Sequence, residues 1–483
     1  MHQQTLPPLT PIISNWIKEL IKKPELLETA IEEYGSPINI HNTLPFRENY
    51  KLYQEVFDEY GLDNLIFFAR KANKCRNLVL EAKTLGMGID TASYRELKEA
   101  LESDLDCEKL VVTAAIKERK LIELAIQNGV LIILDNEDEC KLTQQIAEEF
   151  NIKAQIGLRI SGFNYRGSKL YSRFGFDIDG VFDFIAENFG KQKAFNSLKY
   201  QGLHFHLNGY STEQRGAACL QSFELAKQLK TNGFETHFLD IGGGFLMNYL
   251  SDKDEWESFK ETLQLAVKQK VAPITFQNDG LGYQIINNEL HGELKTYPYF
   301  NEKPKQFFLR EILNYKNGDS KTVADLAKQL KIQIRMEPGR SMLDQVGFTM
   351  AKVVFRKRDS QNNWLVGLEM NFTQMHSSSA DFLLDPIVLN KEPQKNKEKC
   401  EVFFTGAYCL ERDILLKRKI SLDQLPQIGD LVIFPNTAGY MIHFFESEAH
   451  LFNLAANIWS QVEGYTLSKF INDDELSYPT VAV

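Results

Sequence analysis

LIFFARK, at residues 65–71, is the first of eight short apolar runs that alternate with helix-like segments along the chain. Runs of this kind, separated by amphipathic stretches, are typical of parallel strands in βα units. The other seven are MGID (87–90), LVVT (110–113), VLIIL (130–134), AQIGLRI (154–160), GLHFH (202–206), THFLDI (236–241) and IQIRME (332–337). Eight βα units in roughly 270 residues predict an α/β fold, a (β/α)8 barrel of the TIM type.

The alternation of predicted strands and helices is interrupted once inside the barrel and stops after it. Gly244 and Glu337 are 93 residues apart, about twice a usual βα step, which predicts an insertion at about 250–330 in the loop after the seventh strand. Beyond residue 346 the apolar runs follow one another without helices, which predicts an all-β domain at 346–483. We therefore expect the barrel at 61–345 and an N-terminal segment, 1–60, packing on the β-domain.

The composition is that of an ordinary globular protein, with 43% hydrophobic and 25% charged residues and a net charge of −10. This balance excludes a disordered or fibrous chain, and the acidic charge argues against nucleic acid or an anionic membrane as the main partner. The six cysteines include no CxxC pair, so neither a metal site nor a redox dithiol is predicted. We find no secretory signal and no apolar run long enough to span a bilayer, and we expect a cytoplasmic location.

Residues suited to chemistry or ligand binding stand at the ends of several predicted strands. The reactive side chains are those of Lys71, Asp90, Arg159, His206 and Glu337, and the three glycines Gly242, Gly243 and Gly244 follow the seventh strand. Each has an ordinary structural explanation by itself, as a solvated charge, a core histidine or a turn. The C-terminal ends of barrel strands are where TIM-type enzymes build their active sites, however. The combination therefore predicts a single site at that end.

These residue types together fit a phosphorylated aromatic aldehyde. A lysine amine can form a Schiff base with an aldehyde, and His206 can lie flat against a ring. The Glu337 carboxylate can hold a proton on a ring nitrogen by opposite-charge pairing. Three glycines expose backbone N–H groups to a phosphate, and Arg340 can add a guanidinium fork to it. The predicted cofactor is pyridoxal 5′-phosphate (PLP).

Eight motifs resemble those of one enzyme family. They are ARKANKC (69–75), GIDTASYRE (88–96), SRFGFD (172–177), GLHFHLNG (202–209), DIGGGF (240–245), MEPGRS (336–341), GAYCLERD (406–413) and NTAGY (436–440). The family is that of the fold type III, or alanine-racemase-fold, PLP-dependent decarboxylases, which includes diaminopimelate, ornithine and arginine decarboxylases. The resemblance spans roughly residues 40 to 450.

The resemblance implies a role for each matching residue. Lys71 would be the Schiff-base lysine, and Cys409 would return a proton to Cα after the substrate carboxylate is lost as CO2. The residues implied for cofactor binding are Lys71, Asp90, Arg159, His206, Gly242, Gly243, Gly244, Glu337, Gly339, Arg340 and Tyr440. Glu337 favours decarboxylation, because a protonated ring nitrogen strengthens the electron sink. The family also implies an obligate homodimer in which Cys409 and Asp413 act in the partner's site.

The chain departs from the family pattern where substrates are recognised. Leu410 follows the cysteine, where the family has an acidic residue that grips a distal ammonium group. Between Asp359 and Glu411 there is no arginine, although diaminopimelate decarboxylases hold a distal carboxylate with one. We therefore expect an amino acid or amino-acid conjugate other than diaminopimelate as the substrate. Candidate substrate contacts are Glu411, Asp413 and Glu446.

A third departure affects the phosphate. Leu207-Asn208-Gly209 follows the stacking histidine, where the family has a Gly-Ser pair. A hydroxyl donor is thereby lost, and Asn208 or Ser211 could replace it.

Three alternatives to a decarboxylase remain open from the sequence. A PLP-dependent racemase or epimerase would exchange the α-proton without losing CO2, and would be expected to carry arginine in place of Glu337. A non-catalytic PLP-binding homologue is the second. A degenerate partner of an active enzyme is the third, since Leu410 and Asn208 break the motifs.

Overall fold

The computed structural model describes residues 6–318, 321–377, 382–392, 398–463 and 466–476. The α-helices are α1 (Asn15–Ile21), α2 (Pro24–Tyr34), α3 (Leu44–Tyr60), α4 (Arg76–Thr84), α5 (Tyr94–Glu102), α6 (Arg119–Gln127), α7 (Glu137–Phe150), α8 (Val181–Asn188), α9 (Thr212–Thr231), α10 (Lys253–Val267), α11 (Gln306–Asn314), α12 (Val323–Leu330) and α13 (Gly339–Met342). Within these ranges, no helix combines the length and the apolar character needed to cross a bilayer.

The β-strands are β1 (Ile38–His41), β2 (Asn64–Ala69), β3 (Gly88–Thr91), β4 (Leu110–Val112), β5 (Leu131–Leu134), β6 (Ala154–Ser161), β7 (Asn164–Tyr165), β8 (Ser168–Lys169), β9 (Phe176–Asp177), β10 (Leu198–His204), β11 (Phe238–Asp240), β12 (Gln284–Ile286), β13 (Glu289–His291), β14 (Gln333–Met336), β15 (Gly347–Arg358), β16 (Trp364–Leu368), β17 (Ile387–Leu389), β18 (Cys400–Thr405), β19 (Ile420–Leu422), β20 (Leu431–Phe434), β21 (Ala456–Glu463) and β22 (Thr466–Asn472).

The chain divides into two compact units, and neither is one continuous segment. The barrel unit contains residues 47–246 and 303–342, and the sheet unit contains residues 6–46, 247–302 and 343–475. The insertion predicted at about 250–330 is thus divided, because its first part belongs to the sheet unit and its second part to the barrel unit.

The barrel unit is a closed ring of eight parallel strands. Their order is β2, β3, β4, β5, β6, β10, β11 and β14, and β14 pairs again with β2. Each of the eight predicted runs overlaps one of these strands, so the predicted (β/α)8 barrel is confirmed. A cluster of buried side chains, Phe67, Val111, Leu131, Ile133 and Phe238, packs between them. Strands buried on both faces are uniformly apolar, as in β5, whose four residues are all buried.

Side-chain caps fix where the barrel helices begin. The side chains of Ser93, Asn136 and Ser211 each accept a hydrogen bond from the backbone three residues on, at the starts of α5, α7 and α9. Such caps satisfy N–H groups that lack partners within the helix. Helices α11 and α12 come from the second part of the insertion and pack on α9.

The sheet unit is built around β15, and the predicted all-β region is confirmed there. Strand β15 pairs antiparallel with β16, β20 and β1, and β1 continues in parallel to β21. The N-terminal strand therefore lies inside this sheet. The first part of the insertion also packs in this unit, since the Phe276 amide donates to the Lys417 carbonyl over 2.7 Å. The Leu383 amide likewise donates to the Tyr299 hydroxyl over 2.9 Å.

Candidate active site

Lys71 lies just beyond the end of β2, in a short 3-10 turn of residues Arg70–Ala72. The buried Arg70 guanidinium holds this turn. It binds Glu99 at 2.6 Å and donates to the carbonyls of Lys74 at 2.6 Å and Cys75 at 2.9 Å. Because those bonds fix the backbone on both sides, the Lys71 amine is directed to the C-terminal end of the barrel.

The Lys71 amine lies between two buried carboxylates. Its Nζ is 2.7 Å from Asp90 Oδ2 and 3.5 Å from Glu337 Oε2, and 33% of the side chain is exposed. Asp90 also accepts a short hydrogen bond from the Thr113 hydroxyl. Burial raises the pKa of Asp90, as does the charge of Glu337, while Lys71 and Thr113 act in the opposite direction. A reactive amine is thus held in place by charge, with a path to solvent.

Glu337 is held from its other side by His204, the last residue of β10. The His204 Nε2 is 3.1 Å from Glu337 Oε1. Burial, together with the charge of Arg159, lowers the pKa of His204 well below its ordinary value. The imidazole is therefore neutral, and its Nε2–H donates to the carboxylate. Its buried Nδ1 has no hydrogen-bond partner among the described residues.

Asp240, at the end of β11, is a third buried acid beside this pair. Its Oδ1 accepts the Gly242 N–H over 2.9 Å. Burial and the nearby charge of Glu337 raise the pKa of Asp240 well above its ordinary value, which favours the protonated form. Ligand atoms of His204, Asp240 and Glu337 all lie within 4.8 Å of one another. The sequence predicted no metal site, and that remains a prediction.

His206 and the glycine loop 242–244 contact each other directly. The Gly243 N–H donates to His206 Nδ1 over 3.1 Å. Burial lowers the pKa of His206 to about 3, so its ring is neutral and its other nitrogen carries the proton. A Cβ atom at Gly243 would lie 2.5 Å from the Glu337 carbonyl oxygen. Only glycine lets the loop approach Glu337 this closely.

The remaining predicted residues of the barrel unit surround this centre. Arg159 Nε is 3.9 Å from Asp135 Oδ1, and its guanidinium lies 4.2 Å from the centre of the Phe174 ring. Gly339 and Arg340 are buried in α13, directly after Glu337. All the predicted cofactor-binding residues except Tyr440 thus belong to the barrel unit.

The other predicted residues, namely Cys409, Glu411, Asp413, Tyr440 and Glu446, belong to the sheet unit. The Cys409 side chain is exposed. The Asp413 carboxylate accepts the Phe372 N–H at 2.8 Å and the Tyr408 N–H at 2.6 Å, so it fixes the turn that carries the cysteine. Glu446 accepts the Ala455 N–H at 2.7 Å. Their roles in binding cofactor or substrate remain predictions.

Sequence reasoning missed His204 and Asp240. Both stand inside the quoted motifs, two residues before His206 and two before Gly242. Strand alternation places residues i and i+2 on one face, and this signal could have identified His204 as a second inward-facing histidine. Nothing in the local sequence indicates that the pKa of Asp240 is raised, since the shift depends on burial and on the charge of Glu337.

The residues present fit PLP. The Lys71 amine and the Glu337 carboxylate contact each other, so both can reach one small ring carrying an aldehyde and a basic nitrogen. The glycine loop is bare of side chains, and the Gly244 N–H, unlike those of Gly242 and Gly243, has no partner among the described residues. A phosphate needs such backbone N–H groups. His206 offers a neutral aromatic face beside that loop. Lys71, Glu337, His206 and Gly244 would therefore hold the aldehyde, ring nitrogen, ring and phosphate respectively.

A family profile described as "Pyridoxal-dependent decarboxylase, pyridoxal binding domain" matches residues 45–286, half of the chain. The chain belongs to this family. It is 27% identical to an uncharacterised protein of Sinorhizobium fredii, over 92% of both chains. It is 28% identical to a diaminopimelate decarboxylase of Campylobacter jejuni, over 85% of this chain and 87% of the relative.

A solved structure extends the likeness to the whole fold. The structure of diaminopimelate decarboxylase from Helicobacter pylori, complexed with L-lysine, superposes with a TM-score of 0.66 at 19% identity. The alignment covers 92% of this decarboxylase-family chain and 95% of the other. At this identity the superposition establishes the shared fold, a parallel barrel with a sheet domain.

The depressed pKa of His206 predicts acid sensitivity of the apoprotein. Between about pH 6.5 and pH 3 the unfolded chain binds a proton at this histidine and the folded chain does not, so stability falls as the pH is lowered. Replacing His206 with phenylalanine removes this titration. When the pH is lowered from 7.5 to about 5, the unfolding free energy of both proteins should decrease. The decrease should be about 1 to 2 kcal/mol smaller for His206→Phe than for wild type.

Urea denaturation at the two pH values measures this difference. The control is His237→Gln, at an exposed histidine of the same unit, which should lose as much unfolding free energy between the two pH values as wild type. If wild type and His206→Phe lost the same unfolding free energy, a neutral buried His206 would be contradicted.

The raised pKa of Asp240 favours its neutral form and predicts that the amide analogue is tolerated. Asparagine has the shape and neutrality of the protonated acid, so Asp240→Asn should keep PLP affinity and activity within about 3-fold of wild type. Glu337→Gln removes a needed charge and should lower activity about 100-fold or more. Absorbance titration with PLP and a CO2-release assay measure the two effects. If Asp240→Asn were as inactive as Glu337→Gln, the negative charge would reside on Asp240.

Proposed function

We propose that the protein removes the α-carboxylate of an amino acid as CO2 and that its substrate is not diaminopimelate. The observation that carries this proposal is the buried carboxylate of Glu337, held by His204 at 3.1 Å and by Lys71 at 3.5 Å. A carboxylate at this position favours a protonated pyridine nitrogen. Arginine would be expected there in a racemase, so Glu337 argues against that alternative.

Each of the chain's own site residues would have a separate role in this decarboxylation. PLP, when bound, supplies an electron sink for the pair of electrons left at Cα as CO2 departs. Glu337 would hold the proton on the ring nitrogen, and neutral His204 orients the Glu337 carboxylate without cancelling its charge. The neutral ring of His206 would offer the cofactor an aromatic face without adding a competing cation. The Lys71 amine would hold the aldehyde group.

Cys409 is proposed as the acid that returns a proton to Cα. The family resemblance supports this role, and so does the exposure of its thiol on a turn held by Asp413. The overall reaction consumes one proton for each CO2 released, and the product is the amine.

Leu410 supports a substrate without a distal ammonium group. Its side chain is 43% exposed and stands where the family places an acidic residue. Nearby in the sheet unit, the Tyr408 ring stacks on His450 with centroids 5.0 Å apart and on Phe452 at 5.9 Å. An apolar, aromatic surface next to the cysteine suits a larger or conjugated side chain better than a free cation.

Isotope incorporation from heavy water tests the reaction type. The PLP-loaded enzyme is incubated in D2O with a panel of free and conjugated amino acids. A decarboxylase should release CO2 and yield an amine with one deuteron at Cα, and Lys71→Ala should give neither product. Deuterated amino acid without CO2 would instead establish a racemase.

The same panel tests the substrate. Leu410→Asp should raise turnover of ornithine or lysine at least about 10-fold, since it restores a partner for the distal ammonium, whereas the neutral control Leu410→Asn should not. Rapid turnover of diaminopimelate by wild type would contradict the proposed specificity.

We also propose a homodimer in which Cys409 serves the partner's site. Tyr408, next to Cys409, contacts the segment 447–452 through His450, Phe452 and the Ser447 carbonyl. Exposed apolar side chains are frequent in and beside that segment, and Leu451 is 92% exposed. The others are Phe444, Phe445, Phe452 and Leu454, and Leu410 is exposed on the cysteine turn itself. A cluster of this kind is typical of a surface that another chain covers.

Mixing two inactive variants tests the shared site. Lys71→Ala and Cys409→Ala homodimers are dissociated together and reassociated at equal amounts. Half of the dimers should then be mixed, each with one intact site, which restores roughly a quarter of the wild-type activity. If no activity returned although mixed dimers formed, Cys409 would act within its own chain.

A further inference from the structure

Arg215, in the first turn of α9, is a buried cation without an acidic partner. Its side chain is 1% exposed. Burial lowers its pKa to about 10, so it stays charged at neutral pH. Its guanidinium donates to three backbone carbonyls: Gly209 at 3.0 Å, Gly243 at 2.8 Å and Leu207 at 3.4 Å. Among the described residues, no Asp or Glu forms an ion pair with it.

An isolated buried charge is costly unless something of opposite sign lies near it. The three carbonyl dipoles offset part of that cost, but the buried Arg215 Nε has no hydrogen-bond partner among the described residues. A cation retained under these conditions indicates that an anion belongs close by.

The three carbonyls come from two loops that meet at Arg215. Leu207 and Gly209 belong to the segment after His206, called the histidine loop (207–210), and Gly243 belongs to the glycine loop (242–244). A Cβ atom at Gly244 would lie 2.4 Å from Arg215 Nη2. The guanidinium is therefore packed directly against the backbone of the glycine loop.

Peptide geometry fixes what these contacts do to the N–H groups. In a trans peptide the C=O and N–H point in opposite directions. Carbonyls directed at Arg215 thus turn the N–H groups of Asn208, Tyr210 and Gly244 away from it. The amides of Asn208 and Gly244 have no partner among the described residues. A hydrogen bond to the carbonyl also polarises the peptide and strengthens its N–H as a donor.

The hydroxyl that the family pattern would supply is absent here. Ser211 does not replace it freely, because its Oγ accepts the Gln214 N–H at 3.1 Å and donates to Glu213 at 3.0 Å, capping α9.

We propose that Arg215 is the positioning residue of the phosphate site. It holds the histidine and glycine loops so that the N–H groups of Asn208, Tyr210 and Gly244 point outward, and it supplies the positive charge behind them. It acts through the backbone, so it need not touch the phosphate. The anion it serves is the phosphate monoester of the cofactor, and its charge stands in for the lost hydroxyl donor.

Comparing PLP with pyridoxal, which lacks the phosphate, tests this role without an activity assay. Apoprotein is titrated with each compound and binding is followed by absorbance. Arg215→Met, which keeps the length and removes the charge, should weaken PLP binding at least about 10-fold and pyridoxal binding less than about 3-fold. Arg215→Lys should give an intermediate loss. Cys219→Ala, at a buried position one turn further along α9, is the packing control and should leave both affinities unchanged.

Equal losses for PLP and pyridoxal would overturn the proposal, since they would show a purely structural role, and so would unchanged PLP affinity. If Arg215→Met does not fold, inorganic phosphate gives a second measurement: it should raise the melting temperature of wild-type apoprotein and raise that of Arg215→Lys clearly less. Equal protection would overturn the proposal. These measurements involve no substrate, so their outcome is independent of whether the protein decarboxylates an amino acid.

Discussion

The Lys71 amine held between Asp90 and Glu337 is the constraint on which the site depends. A barrel interior excludes water, so each charge placed there needs a partner. The 2.7 Å contact with Asp90 supplies one, and Glu337, 3.5 Å away, is steadied by neutral His204. The low dielectric that makes these groups interact strongly also raises the pKa of Asp240 and keeps both histidines uncharged. Burial thus sets which groups carry charge.

Two buried side chains organise the backbone around this centre. Asp240 accepts the Gly242 N–H, and Arg215 donates to the carbonyls of Gly243 and the histidine loop. The first contact draws an amide inward, and the second group of contacts turns amides outward. Hydrogen bonds from the buried side chains of Asp240 and Arg215 therefore fix the conformation of the loops. The glycines contribute by leaving room for the backbone to approach closely.

The sequence predicts the barrel and the position of reactive residues at its strand ends, because both leave local signals. Buried strands such as LIIL read as apolar runs, and Lys71, His206 and Glu337 stand at their ends within recognisable motifs. Arg215, Asp240 and His204 could not be assigned roles in this way. What they do depends on burial and on contacts with distant backbone, which no local pattern encodes. The division of the insertion at residue 302 depends likewise on long-range packing.

The discontinuous units have a consequence for how this protein can change over evolution. The chain passes between the barrel unit and the sheet unit near residues 46, 246, 302 and 342. A gene fragment that encodes residues 47–342 without a break would also encode 247–302, which belongs to the sheet unit. It would not encode β1, which pairs with β15 and β21 in the sheet unit. Neither unit can therefore be duplicated, lost or exchanged whole as one continuous stretch of the gene.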